Sequence, residues 1–379
     1  MQLVKLKDVV MRVKDKVDKD STNLEYYIGG EHIDSGELCI TRKGKIEGST
    51  IGPAFHMHFM PGDVLLMSRN PHLKKAGVVD FEGICSDVSY ICRTKNDEIL
   101  SQRYLPFIFQ TDHFWQFVEE NKKGGLPFFL NWSDFEKYEF PLPSIEKQHE
   151  LADLLWAAQS TKLSYIELLK QTEELVKSQF VEMFSDIPRV EYRKLSEVCK
   201  IITDGTHQPP KFIDKGIPFL LVSNITGNVI AYDTPKYISQ ETYDVLMKRT
   251  PIEIGDILLS TVGSYGHPAI VKDNRPFSFQ RHIAYLKPDA SKIDSVYLHT
   301  AILSDDVQKQ IDDLVLGVAQ KTLNLSAIRG IHIPVPSIDR QQAFNLFVEQ
   351  TDKSKFEIQK AIEAINVMMK SLIEQNYNY

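Results

Sequence analysis

A nine-residue stretch occurs twice in this chain, as Phe140-Pro-Leu-Pro-Ser-Ile-Glu-Lys-Gln148 and as Ile333-Pro-Val-Pro-Ser-Ile-Asp-Arg-Gln341. Pro334 follows Pro141 by 193 residues, a period that fits the repeat of a whole domain plus a helix and not a solenoid unit. Two prolines one residue apart block helix, so each copy closes a strand-and-turn region. Ser144 and Ser337 then stand where an N-cap belongs, and a long helical segment follows each. Gln148 and Gln341 fall near the capping-box position without occupying it.

The repeat extends well beyond the proline motif. Pro61-Gly-Asp-Val-Leu-Leu-Met-Ser68 and Ile254-Gly-Asp-Ile-Leu-Leu-Ser260 each read as a turn feeding a buried strand, with Gly62 and Gly255 at the 193-residue offset. Each strand enters a polar loop, Arg69 to Lys75 in the first half and Thr261 to His267 in the second, followed by Gly77-Val-Val and Ala269-Ile-Val. Gly124 to Ser133 aligns with Gly317 to Ser326, sharing Gly, Asn and Ser for a turn and a capped element. Val4-Lys-Leu-Lys and Tyr192-Arg-Lys-Leu open the halves alike, with Leu6 and Leu195 offset by 189 residues; small loop insertions account for the slip.

The two helical segments, each of about 40 residues and roughly 60 Å, carry heptads. Ile358, Ile362, Ile365, Met369 and Leu372 step by 4, 3, 4, 3, and Tyr165, Leu169, Thr172 and Val176 match them, followed by Phe180 and Met183. So narrow a seam predicts a coiled coil. Glu173-Glu-Leu-Val-Lys177 faces solvent or a partner. Two copies of one unit around a pseudo-twofold axis predict that the helices pair antiparallel, with a globular domain at either end. The alternative is that each helix packs on its own domain. The expected fold class is α+β: mixed α/β domains at 1–143 and 187–336, and spacer helices at 144–186 and 337–379.

A length of 379 residues suits two or three domains. No apolar run approaches the roughly 18 residues that span a membrane, and the N-terminus lacks a signal-peptide core; both predict a cytoplasmic protein without membrane partners. Cys39, Cys85, Cys92 and Cys199 include no C-x-x-C pair and read as reduced thiols. The net charge of −7 argues against a chain that coats nucleic acid non-specifically.

No catalytic constellation holds. The chain has neither a phosphate-binding G-x-x-x-x-G-K-[ST] loop nor G-x-G-x-x-G. Asn274-Arg-Pro-Phe277 has Arg where an amino-methyltransferase tetrapeptide needs its first proline, and reads as a surface turn. His56-x-His58 lacks further ligands at zinc spacing, and Pro61-Gly-Asp63 lacks the E-x-K partner of a nuclease. The chain by itself reads as a non-enzyme without a metal site.

Polar clusters lie where the halves agree least. Arg42, Lys43, Lys45, Arg69, Lys74 and Lys75 stand against only Glu47 and Asp63 within that window, a local basic field, with Asn70 and His72 in the same loop. The mixture suits phosphate contacts plus base-edge readout. In the second half Asp204-Gly-Thr-His-Gln-Pro-Pro-Lys211 offers Thr206, His207, Gln208 and Lys211, and Ser264, Tyr265, His267, Gln280, Arg281 and His282 could join them on one face.

The order of domain, P-x-P-S-I-x-x-Q, long helix, twice over, resembles the specificity subunit of type I DNA restriction-modification enzymes across essentially the whole chain. The G-D-[VI]-L-L strands, Asp204-Gly-Thr-His207, Gly317 and Leu323-Asn-Leu325 add to the likeness. It implies that each domain reads one half of a split double-stranded DNA target, and that the antiparallel coiled coil sets the spacer. It further implies two methyltransferase subunits that bind S-adenosylmethionine and methylate adenine, and restriction subunits that use ATP and Mg. This chain would then supply specificity, with no cofactor of its own. The first domain starts almost at Met1, so any piece closing a circular arrangement would come from Glu374 to Tyr379 or be absent. Two other readings stay open: a coiled-coil adaptor that binds only proteins, and an enzyme with an unrecognised site. Salt-dependent preference for a duplex separates the first from DNA readout, and methyl transfer by the chain alone would establish the second.

Overall fold

The computed structural model describes residues 2–317 and 321–375. Positions 318–320 of the second Gly-to-Ser segment and 376–379 of the tail lie outside them. Two compact units emerge, Met1–Ile166 with Gln359–Tyr379, and Glu167–Ile358. We call them unit one and unit two.

Unit one opens with Gln2–Lys5 paired antiparallel to Glu139–Leu142, so Leu3 sits opposite Pro141. An edge position suits that proline, which has no N–H to give a second neighbour. A four-stranded sheet follows in the order Val10–Val13, Ser89–Thr94, Val64–Met67, Ala76–Val78. A second runs Gly44–Lys45, Tyr26–Ile28, Gly83–Ser86, Phe55–Phe59.

Unit two repeats this plan. Tyr192–Lys194 pairs with His332–Pro334. Its four-stranded sheet runs Cys199–Asp204, Ile283–Pro288, Ile257–Ser260, Pro268–Ile270. Tyr237–Ile238, Ile217–Leu220 and Ser278–Phe279 form the second sheet. Among the described residues unit two has no counterpart of Phe55–Phe59.

The unbroken apolar runs Val64-Leu-Leu-Met67 and Ile257-Leu-Leu259 have a direct cause. Successive strand residues face opposite ways, and these central strands are covered on both sides. Val64 and Leu66 enter one core while Leu65 and Met67 enter another. Ile257 and Leu259 likewise part from Leu258. The turn ahead of each strand needs positive φ, and Gly62 and Gly255 supply it at +90° and +91°. Asp63 then accepts from Met60 N–H at 2.9 Å and pairs bidentately with Arg93, while Asp256 accepts from Glu253 N–H at 2.7 Å and from Tyr285 Oη at 2.7 Å. The aspartate of Pro61-Gly-Asp63 is thus a turn clamp.

The long helices are Ile145–Phe184 and Ile338–Glu374. Leu151, Ala152, Leu155 and Ala158 from the start of the first share unit one's core with Met369 and Ile373 from the end of the second. Unit two does the reverse, joining Phe180 and Phe184 from the end of the first helix with Phe344 from the start of the second. Each unit therefore holds two helix segments that run antiparallel. The heptad positions Tyr165, Leu169, Thr172, Val176, Ile358, Ile362, Ile365 and Leu372 are half-buried, and Met369 is buried. Helix pairing and packing on a domain occur together, because the seam at the helix ends merges into the domain cores.

The glutamine of the repeated motif, set aside above as a poor capping residue, is a fastener. Gln148 is fully buried; its Oε1 accepts from Ser101 N–H at 2.9 Å, and its Nε2 donates to Ile99 O and Pro143 O, both at 2.9 Å. Gln341 makes the same three bonds with Asp294 N–H (2.8 Å), Lys292 O (3.3 Å) and Pro336 O (2.9 Å). Each ties the helix start to the loop leaving the four-stranded sheet. At the cap itself, Ser144 Oγ accepts a long 3.4 Å bond from Lys147 N–H.

No helix among the described residues is long and apolar enough to cross a membrane. Cys85 and Cys92 are buried and all four cysteines are free; burial pushes the Cys85 and Cys199 thiols up to about 12, so they are protonated and unreactive at neutral pH.

Candidate nucleic-acid interface

In both units a short finger returns beside the strand that follows the Gly-Asp turn. In unit one Lys123 and Phe129 bridge across the finger's base, Phe129 also bridges Arg69, and Asn70 N–H donates to Phe128 O at 2.8 Å. In unit two Leu316 and Thr322 bridge, Thr322 bridges Val262, and Gly263 N–H donates to Lys321 O at 3.2 Å. Every pair sits at the 193-residue offset. The polar loop after each central strand and the Gly-to-Ser segment, read separately in the sequence, thus form one surface.

In unit two that surface gathers several predicted residues. A cleft of about 300 Å³ is lined by Asp204, Thr261, Val262, Arg281, His282 and the finger's return from Thr322 to Leu325. The Asp204-Gly-Thr-His207 loop forms one wall. Gly205 is required by close approach, since a Cβ there would lie 2.3 Å from Phe279 O. Thr206 bridges Gln280, and its hydroxyl donates to Gln208 O at 2.9 Å. Arg281 N–H donates to Thr206 O at 3.1 Å, and its Nε donates to His282 Nε2 at 3.3 Å. Burial and the Arg281 charge both lower the His282 pKa, so that imidazole is a neutral acceptor.

Asp204, only 14% exposed, binds His207 at 2.9 Å and Arg249 at 2.5 Å. Arg249 escaped the sequence reading because it lies 45 residues from its partner. Tyr265 Oη donates to Asp312 at 2.9 Å, and Lys321 lies 5.8 Å over its ring, which places Tyr265 on the finger. Ser264 is exposed next to it, and Lys211 and Gln208 are exposed in the loop after His207. His267 stands apart: its Nδ1 meets Asn228 Oδ1 at 3.2 Å, and it lines a different cavity with His299 and Val348.

In unit one the basic field is more occupied than its sequence window suggests. The fold brings Asp34 to Arg42, Glu25 to Lys45 at 3.6 Å, and the Gly30 carbonyl to Lys75 at 2.5 Å. Lys43 sits over Tyr26 at 3.7 Å and Phe81 at 4.3 Å. Arg69 and Lys74 are exposed and have no carboxylate partner among the described residues. Asn70 adopts φ +52°, and its Oδ1 is shut from solvent without a donor among the described residues. His72 meets Phe128 edge-on at 5.8 Å. The structure therefore divides the predicted set into a finger group of Arg69, Asn70 and His72, flanked by Lys74, and a hairpin group of Arg42, Lys43 and Lys45. Lys75 is held inward.

The weaker motifs resolve into structure. His58 Nδ1 and Nε2 lie 2.8 Å from Asp15 and Glu82, and His56 Nδ1 lies 3.0 Å from Pro53 O. Among the described residues no group of three or more His, Cys, Asp or Glu could hold a metal ion. Arg275 of the Asn274-Arg-Pro-Phe277 turn pairs with Asp273 and stacks at 3.9 Å on Tyr232, while Phe277 is buried.

Comparison with known proteins places this geometry. The family model of the type I restriction modification DNA specificity domain matches residues 189–366. The EcoBI type I specificity subunit of Escherichia coli is 28% identical over 46% of this chain, a match that spans 37% of that subunit's own length. The MjaVIII specificity subunit of Methanocaldococcus jannaschii is 24% identical over 79% of this chain and 76% of its own. Among solved structures, a chain from a study of complex assembly and conformational transition of the type I R-M system aligns at TM-score 0.56 and 19% identity, covering 99% of this chain and 97% of that one. The type I S subunit from M. genitalium aligns at TM-score 0.51 and 13% identity, covering 100% and 96%. Both share the fold.

Proposed function

We propose, from the match of residues 189–366 to the type I restriction modification DNA specificity domain and from the repeated fold, that the chain is the target-reading, non-catalytic subunit of a type I complex. Each unit reads one half of a bipartite double-stranded target. The observation that carries this reading is one scaffold bearing two different surfaces. The sheet order, the buried glutamine and the finger anchor recur at the same offset, while Arg69-Asn-Pro-His72 in one unit corresponds to Val262-Gly-Ser-Tyr265 in the other. A constant scaffold with unlike polar loops suits two half-sites of different sequence.

On this reading exposed cations such as Arg69, Lys74 and Lys211 contact phosphates, which position the protein, and the Thr206, Gln280, Arg281 and His282 group meets base edges, which specify sequence. The neutral His282, whose Nε2 accepts from Arg281 Nε, has its Nδ1–H to donate to a base-edge acceptor, and Arg281 donates from its remaining guanidinium N–H groups. The long helices dock two methyltransferase subunits and set the spacer between half-sites. S-adenosylmethionine belongs to the methyltransferase partner, and ATP and Mg belong to a restriction partner; this chain holds no cofactor.

Exchanging residues 1–140 for the corresponding domain of another family member tests the reading. Sequencing of methylated sites should then show one half-site changed and the other intact. An unchanged methylation motif would overturn it. An assembled complex with no salt-dependent preference for any duplex would favour a protein-only adaptor.

A further inference from the structure

We infer that the finger of unit one inserts Leu126 between stacked base pairs of the half-site that this unit reads. The inference rests on the DNA-reading function proposed above and concerns how one half-site is recognised.

Leu126 is 85% exposed at the tip of the finger. A lone exposed leucine is ordinary on a protein surface, but this one is held in place. Lys123 N–H and Phe129 N–H exchange bonds with each other's carbonyls at 2.7 and 2.9 Å, closing the finger's base. Asn70 N–H fixes Phe128 O from the adjoining loop at 2.8 Å. Gly124 turns the chain at φ +88°. At the finger's base Phe129 is 39% exposed, so the tip stands on a partly apolar support.

The surroundings favour a duplex as the occupant. Arg69 lies 6.0 Å over the Phe129 ring and Lys122 4.5 Å over Phe128. Arg69 is exposed and has no carboxylate partner among the described residues, which leaves its guanidinium available to a phosphate. Lys122 is paired with Glu119 and Lys123 with Asp134, so among the described residues Arg69 is the finger's cation left to meet phosphate, and an apolar point beside it matches the chemistry of a base step bordered by a phosphate backbone. Such wedges, most often Phe, Leu, Ile, Met or Pro, unstack a step at a cost of a few kcal/mol and kink the duplex. The cost is lowest at flexible pyrimidine–purine steps, so the wedge adds sequence preference without a hydrogen bond to a base. The corresponding sequence in unit two is Val-Ala-Gln-Lys after Gly317. The effect therefore belongs to one half-site only.

The test uses the full chain assembled with its methyltransferase subunits, on a duplex carrying its methylation motif with 2-aminopurine at successive positions. Away from the target adenines, which the methyltransferase subunits flip out in either half, the wild-type complex should raise fluorescence several-fold at one step of unit one's half-site and at none in the other half. Leu126→Ala should abolish that rise and weaken binding about tenfold, while Leu126→Met should retain both. Sequence-specific binding with no fluorescence change away from the target adenines in the wild type, or a rise there that survives in Leu126→Ala, overturns the wedge and leaves the DNA-reading function standing. A wild-type complex with no preference for the motif duplex overturns both.

Discussion

Gln148 and Gln341 each bond a backbone N–H and two carbonyls; Ser101 N–H, Pro143 O and Pro336 O are buried, and the other partners are partly so. An unsatisfied buried polar group costs about 1–3 kcal/mol, and leucine of similar size would leave the buried groups, and the partly buried ones beside them, without that partner. Gln148→Leu should therefore destabilise unit one by about 3 kcal/mol, read as a lower urea midpoint, and Gln341→Leu should do the same to unit two. His58 offers a second check. Burial alone would lower its pKa, but its hydrogen bonds to Asp15 and Glu82 outweigh that and raise it above 6.5; the Asp15 pKa is lowered, in agreement. A raised folded pKa means that the stabilisation is complete below the unfolded value and is lost as pH rises through the folded one. The melting temperature should thus fall from pH 6.5 upward through the His58 folded pKa, and His58→Gln should flatten that part of the profile. An imidazole shift titrating below the ordinary value by NMR would contradict the assignment.

At the scale of elements, periodicity carried the fold. Heptad spacing marked both long helices, and unbroken apolar runs marked the two central strands. What periodicity missed was the dual role of the helix ends. Phe180 looks like a continuation of the seam, yet it packs with Phe184, Tyr297 and Phe344 inside a domain core. A heptad pattern reports that one face is apolar; it does not report whether the cover is a helix or a sheet. The predicted spacer role makes a measurable claim at this scale. Inserting one heptad into each helix, within the half-buried stretches around Leu169 and Ile358, preserves the apolar face because the repeat is seven residues. Methylome sequencing should then return both half-sites unchanged with a different spacer. Altered half-sites would contradict the ruler role.

At the scale of the whole molecule, a net charge of −7 leaves few cations for phosphate, and the fold neutralises several of those. Arg42, Lys45 and Arg249 are already paired with Asp34, Glu25 and Asp204. Binding by the assembled complex should therefore lean on a small number of free cations. Arg69→Ala should weaken duplex binding and lower the slope of log affinity against log salt by about one. An unchanged slope would remove Arg69 from the phosphate contacts.

The sequence by itself determined the duplication, the α+β class, the helix seam and the surfaces where the halves diverge. These are properties of order along the chain: period, spacing and turn chemistry act through neighbours a few residues apart. Only the tertiary structure decided which charged groups remain free, that Lys75 and His267 point away from the finger surface, and that two loops 58 residues apart, at Asn70 and Phe128, are bonded into one finger. Ion pairing and burial fall off within a few ångströms of space, and the partners that settle them, such as Asp204 for Arg249 or Ile99 for Gln148, are distant in the chain and carry no local signal of the meeting.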